Sequence, residues 1–166
     1  MKPFAFAIAV GSAILTTLTA AAQDTKLVDA FDTWRLYSHS GQPADICFIT
    51  AFPRETELKR KEKSWFYVSA WPQEGVKSEV SVNFGKELQA GSTVTLQIGS
   101  SRYILFPKND KAFISDPTQE LKLIESMKRG NFMTISATTA DGTTFKETYS
   151  LIGLTRAVNT LFRGCT

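Results

Sequence analysis

Short stretches of alternating apolar and polar residues recur along most of the chain. Clear examples are residues 32–38, 79–84 and 93–98. A period of two sends successive side chains to opposite faces of a strand, so each stretch predicts a half-buried β-strand. About nine such strands follow one another at spacings of roughly 8–12 residues, separated by turn residues.

One predicted strand, residues 64–71, is unusually rich in aromatic side chains. Alternation assigns one set of its residues to the core: Phe66, Val68 and Ala70. It assigns Trp65, Tyr67 and Trp71 to the other face. Large aromatic side chains usually pack in cores, so structural packing is the simpler interpretation of the second set. If exposed, these three side chains would be the best candidates for a contact patch.

Two helices are predicted. The first begins at Asp116, a capping residue followed by Pro117, and ends at Gly130 after two cations. Its predicted apolar side consists of Leu121, Ile124 and Met127. A short C-terminal helix, residues 154–162, places three apolar residues in register: Leu154, Val158 and Leu161.

Strands that do not alternate with helices argue against a parallel α/β sheet. The pattern instead predicts a mostly all-β domain, an antiparallel β-sandwich with one well-capped helix and one short terminal helix, over residues 23–166. No internal repeat, linker or second domain is indicated.

Residues 1–22 form a separate segment. Lys2 precedes an uncharged, largely apolar run that ends in the small residues Ala20, Ala21 and Ala22. This order predicts a signal peptide cleaved after Ala22, in preference to a membrane anchor. No second long apolar run follows, so no integral membrane span is expected after cleavage. The protein is therefore predicted to be periplasmic or secreted.

Export changes the interpretation of Cys47 and Cys165, the two cysteines of the chain. In an oxidising compartment an even pair usually forms a disulfide. A Cys47–Cys165 bond would connect an early strand to the C-terminal end. A redox-active pair is the alternative, but the C-x-x-C spacing of such sites is absent.

The composition of the chain argues against several classes of function. The chain has 166 residues, 43% hydrophobic and 21% charged, with a net charge of +3. These values fit a folded domain and give no argument for nucleic-acid binding. With one histidine and two cysteines, we expect no metal site and no cofactor. A hydrolase with a Ser-His-Asp arrangement would have to use His39 as its base. The sequence places His39 in a turn and contains no nucleophile motif around any serine.

A basic run, formed by Lys59, Arg60, Lys61 and Lys63, is the remaining candidate for contact. Short charge runs are usually solvated loop tips. The functional alternative is contact with an anionic envelope or host surface, which salt would weaken.

The chain resembles the invasion-associated locus B family of exported bacterial proteins. The positions that match the family occur in the expected order along the chain: Phe31, Trp34, Cys47, residues 94–98, 103–106, 110–113, 123–130 and 148–157, and Cys165. It departs from the family pattern at Phe113, where tryptophan is usual, and at residues 152–154. The resemblance implies an immunoglobulin-like sandwich, export, and a link to host-cell invasion in some members, but no catalytic residues.

The sequence thus predicts a non-enzymatic envelope or secreted interaction protein, whose partner is an unknown protein, a glycan or an anionic surface. The alternative is a glycan or small-ligand binding module that uses Trp65, Tyr67 and Trp71.

Overall fold

The structure, a computed structural model, describes residues 24–40, 45–58 and 64–164. The predicted signal peptide, the four basic residues and Cys165 lie outside these ranges. The described strands are β1 (Asp24–Phe31), β2 (Trp34–Ser40), β3 (Ile46–Ala51), β4 (Glu55–Thr56), β5 (Trp65–Trp71), β6 (Val76–Asn83), β7 (Val94–Ile98), β8 (Ser101–Lys108), β9 (Lys111–Phe113), β10 (Phe132–Thr138) and β11 (Thr144–Ser150). The helices are α1 (Pro117–Arg129), α2 (Leu154–Gly164) and a 3-10 turn (Pro72–Glu74).

These strands form one antiparallel sheet in the order β1-β2-β3-β5-β6-β9-β8-β7-β10-β11-β4. The sheet has two parts, one formed by β1, β2, β3, β5, β6 and β9 and the other by β7, β10, β11 and β4. Strand β8 joins them, because its residues 101–105 pair with β7 and its residues 106–108 pair with β9. The mostly β, antiparallel prediction is confirmed. The described chain contains more strands than the roughly nine expected, since β1 and the two-residue β4 carry no clear apolar alternation.

The two parts of the sheet meet in the core. Phe66 on β5 lies edge-on to Tyr149 on β11, with ring centroids 5.8 Å apart, although these strands are far from each other in the sheet order. Phe84 and Phe145 make a similar contact at 5.4 Å. Face-to-face contact of this kind is compatible with the predicted sandwich.

The predicted inward residues of the central strands are fully buried, among them Phe66, Val68, Ala70, Val80 and Val82. Burying one face of each strand while the other stays polar or aromatic fixes the register, because a one-residue slip would exchange the faces.

Helix α1 begins and ends where the sequence predicts. Asp116 accepts a hydrogen bond from the Thr118 N–H at 2.8 Å, and the Gly130 N–H bonds back to the carbonyl oxygens of the last turn. One expectation about its apolar side is wrong, since Leu121 is 57% exposed. The buried face instead consists of Glu120, Leu123, Ile124 and Met127.

Glu120 explains why the buried face of α1 differs from the predicted one. Its carboxylate accepts hydrogen bonds from the Val80 N–H at 2.9 Å and from the Ser78 hydroxyl. Strand β9 pairs with residues 81–83 of β6, so the backbone of β6 before residue 81 needs another partner on that side. A buried N–H left unpaired would be costly, and Glu120 supplies the acceptor.

Helix α2 packs against β1, β2, β3 and β5. Its three predicted inward residues, Leu154, Val158 and Leu161, are fully buried, as expected. The turn predicted at residues 38–43 is wrong in its first part, because β2 continues through His39 to Ser40 in pairing with β1.

Candidate binding surface

Aromatic side chains cover the outer face of the sheet, the face opposite the core. Tyr67 on β5 contacts Phe48 on β3 with ring centroids 5.8 Å apart, and Phe48 stacks on Tyr37 of β2 at 5.3 Å. Trp65 lies 6.3 Å from Tyr67 and 3.9 Å from Phe52. These partly buried rings form a continuous layer across three strands, which we call the aromatic layer.

A groove of about 260 Å³ adjoins this layer; we call it the outer groove. Its lining comes from β3, β5, β6 and β9, and includes Phe48, Tyr67, Trp71, Glu79, Ser81 and Phe113. Thus Tyr67 and Trp71, two of the three aromatic candidates on β5, line one groove. Trp65 is absent from the lining and packs on Phe52.

The pairing register explains why a groove forms there. Ser69 lies between Phe48 and Glu79 across the sheet, and Ser81 lies between Tyr67 and Phe113. In both rows a small side chain separates two larger ones. The two serines therefore provide a low floor, and the larger side chains form the walls.

Glu79 is the carboxylate of the outer groove. Burial raises its pKa, the nearby Glu120 carboxylate raises the pKa further, and Lys111 lowers it. Within the described residues, the Glu79 carboxylate takes part in no hydrogen bond and no ion pair. Burial also raises the pKa of the Tyr67 phenol. The groove therefore combines aromatic walls with a carboxylate that has no direct partner in the described chain.

Sequence reasoning missed Glu79, Ser81 and Phe113 as site residues. A signal was present: positions 79, 81 and 83 are the polar side of the predicted strand 79–84. Their pairing with β5 and β9 depends on tertiary structure.

The predicted basic residues Lys59, Arg60, Lys61 and Lys63 lie outside the described ranges, but the chain on either side of them is anchored. Thr56 and Ser64 both donate hydrogen bonds to one oxygen of the buried Glu147 carboxylate, at 2.9 and 2.7 Å. Tyr149 donates to the other oxygen at 2.9 Å. This cluster holds both flanks of the basic run against β11.

His39 lies on β2, where its Nδ1 shares a hydrogen bond with the Thr25 hydroxyl at 2.7 Å. In the described part of the chain, no carboxylate hydrogen-bonds this imidazole. The same residues contain no group of three or more His, Cys, Asp or Glu side chains that could hold a metal ion. Among the described residues, His39 is hydrogen-bonded to a hydroxyl and not to the orienting carboxylate of a Ser-His-Asp triad.

Cys47 lies on β3 with 9% of its surface exposed and belongs to the buried core. Helix α2 packs against β3 and ends at Gly164, the residue before Cys165. Over residues 24–40, 45–58 and 64–164 there is no free cysteine.

A search for membrane spans finds no helix of sufficient length and apolarity among the residues that the structure describes.

The fold and groove define a mostly β protein with a candidate ligand surface on one face of its sheet. Residues 34–161 match the sequence model of the invasion associated locus B (IalB) protein family, and the chain belongs to this family. The fold is similar to the crystal structure of invasion associated protein B from Bartonella henselae, with a TM-score of 0.58 and 15% sequence identity over 83% of this chain and 97% of that chain. The search of curated proteins found no match.

Proposed function

We propose that this member of the IalB family is an exported, non-enzymatic interaction protein that contacts host cells through the outer face of its sheet. The observation that carries the proposal is the aromatic layer. Tyr37 stacks on Phe48, and Phe48 contacts Tyr67 edge-on, on the face that the core does not use. Partly exposed aromatic side chains with fixed neighbours are common anchors of protein interfaces, because little side-chain entropy is lost on binding.

Export is supported by the order of residues 1–22, with a cation, an apolar run and small residues before the expected cleavage point. A Cys47–Cys165 disulfide is part of the proposal. It is supported by the approach of α2 to β3 and by the lack of a free cysteine in the described chain. Such a bond is expected in the periplasm or outside the cell.

The non-enzymatic part of the proposal is supported by the family resemblance, which brings no catalytic residues, and by the position of His39. Its imidazole faces Thr25 of a neighbouring strand. A general base must reach both its substrate and an orienting group.

Cell binding tests the proposal. Beads coated with the purified protein are expected to adhere to cultured mammalian cells, and the double variant Tyr37→Ala, Tyr67→Ala, which removes two rings of the aromatic layer, is expected to lose most of this adhesion. Phe132→Ala is the control, since Phe132 is an exposed aromatic residue on β10, away from the layer. Equal loss in both variants, or no adhesion above uncoated beads, would contradict the proposal.

A second candidate function, binding of a glycan or another small ligand, is favoured by the outer groove itself. Two of its lining residues, Tyr67 and Trp71, have aromatic rings against which a ligand could pack. Ligand binding should change tryptophan fluorescence through Trp71. The change should disappear in Trp71→Phe and persist in Trp65→Phe, because Trp65 does not line the groove.

A further inference from the structure

We propose that the outer groove binds the quaternary ammonium group of a choline-type ligand, with Glu79 as its counter-ion and the surrounding rings as its walls. This inference rests on the small-ligand function proposed above and names the chemistry of that ligand.

Glu79 is the carboxylate that lines the groove. Its carboxylate is partly buried against aromatic side chains, and it forms no hydrogen bond or ion pair with any residue that the structure describes. Removing a carboxylate from water without a partner costs free energy. Burial is the main cause of the raised pKa of Glu79; the Glu120 carboxylate adds to the rise and the Lys111 charge offsets part of it. A cationic ligand would supply the direct contact that Lys111 does not make.

Tyr67 and Phe113 lie on opposite sides of Ser81 in the sheet. Ser81 pairs with both, one on each side, so the two aromatic residues are two strand spacings apart, about 9–10 Å. A cation above Ser81 would lie between two rings that both line the groove, and an aromatic ring attracts a cation within ~6 Å of its centroid. Large alkylated cations suit such a site because their methyl groups also pack against the rings.

The charged groups of the groove favour this ligand over a neutral sugar. Besides Ser69 and Ser81, the polar lining residues are Asn83, Glu79 and Lys111, and two of these three carry a charge. A quaternary ammonium has no N–H groups and needs no acceptors beyond the counter-ion. Lys111 is exposed and lines the same groove. Its charge favours a ligand that carries an anion beside the ammonium, as phosphocholine does.

The test is a calorimetric titration of the purified protein with choline, phosphocholine and 3,3-dimethylbutan-1-ol, the uncharged carbon analogue of choline. We expect choline to bind at least about tenfold more tightly than the analogue, and phosphocholine more tightly than choline. Glu79→Gln should lower choline affinity about tenfold or more and leave binding of the analogue unchanged. Glu74→Gln is the matched control, because Glu74 is exposed in the 3-10 turn outside the groove.

Circular dichroism and urea unfolding verify that Glu79→Gln is folded. Phosphatidylcholine vesicles form a further arm: capture of the protein on them indicates a lipid headgroup, and binding of soluble phosphocholine alone indicates a free ligand or a modified glycan. Both results support the inference.

Equal affinity for choline and its analogue, or an unchanged affinity in Glu79→Gln, would overturn it. So would the absence of choline binding at millimolar concentrations. If neutral glycans bind and Trp71→Phe abolishes their signal, the ammonium assignment fails while the small-ligand function stands. Bead adhesion tests the host-contact function separately.

Discussion

The Trp34 indole donates a hydrogen bond from Nε1 to the Ser150 carbonyl oxygen at 3.1 Å, across 116 positions of sequence. The bond connects β2, near the start of the described chain, to the last residue of β11. Trp34 is fully buried and lies edge-on to Phe66 at 5.9 Å. One side chain thus fills the core and satisfies a backbone acceptor where the two parts of the sheet meet.

Trp34→Phe should lower the free energy of unfolding by about 1–3 kcal/mol, because it removes this hydrogen bond, leaves a buried acceptor without its indole donor and reduces core volume. Urea denaturation provides the measurement. Trp65→Phe, a partly buried position on the outer face, should change stability much less. Similar losses in both variants would show that the buried bond has no special role.

Glu147→Ala should destabilise the fold by about 3 kcal/mol or more. The variant leaves three hydroxyl groups, those of Thr56, Ser64 and Tyr149, without their common acceptor. Limited proteolysis should also cut the segment between Thr56 and Ser64 faster. Glu55→Ala is the control because Glu55 is an exposed neighbour on β4, and equal stability of the two variants would refute the anchoring role.

Gly153→Ala should be among the most damaging small substitutions. Gly153 has a φ of +90°, and a Cβ there would lie 2.1 Å from the Phe31 carbonyl oxygen, so backbone must move. Gly99→Ala offers a matched comparison: its φ is +56° and its Cβ would meet nothing within 4 Å. We expect about 1–2 kcal/mol for Gly99→Ala and clearly more for Gly153→Ala in thermal unfolding. The reverse order would contradict this packing argument.

The proposed Cys47–Cys165 bond has a direct readout. Non-reducing mass spectrometry of the exported protein should give a mass about 2 Da below that of the dithiol form, since closing the S–S bond removes two hydrogens. The double variant Cys47→Ala, Cys165→Ala should be less stable by up to about 4–5 kcal/mol, the chain-entropy value for a loop of over a hundred residues. Two thiols that alkylate freely would exclude the bond.

Glu79→Gln should stabilise the protein at neutral pH and lose this advantage in acid. Folding raises the Glu79 pKa through burial and the nearby Glu120 carboxylate, with Lys111 opposing. The folded state therefore holds the proton more tightly, and the charged form costs stability above the raised pKa. That cost disappears below the ordinary pKa of a glutamate. Urea unfolding of both proteins at about pH 7 and pH 3.5 should show the difference shrinking; a constant difference would argue against a shifted Glu79.

Much of the fold was predictable because its signals are local. Alternation in residues 79–84 depends on the two-residue period of a strand, and it correctly identified the buried Val80, Val82 and Phe84. The start of α1 was equally local, since Asp116 caps an N–H group two residues away. These interactions involve neighbours in sequence, so the chain itself specifies them.

Tertiary structure decided the rest. Leu121 is exposed because the buried face of α1 depends on the free edge of β6, where Glu120 is required. The outer groove likewise exists only because pairing brings Tyr67, Ser81 and Phe113 into one row from three strands. Strand register is set by packing over the whole sheet, and a short window of sequence around Ser81 does not contain Phe113, the residue that it faces on β9.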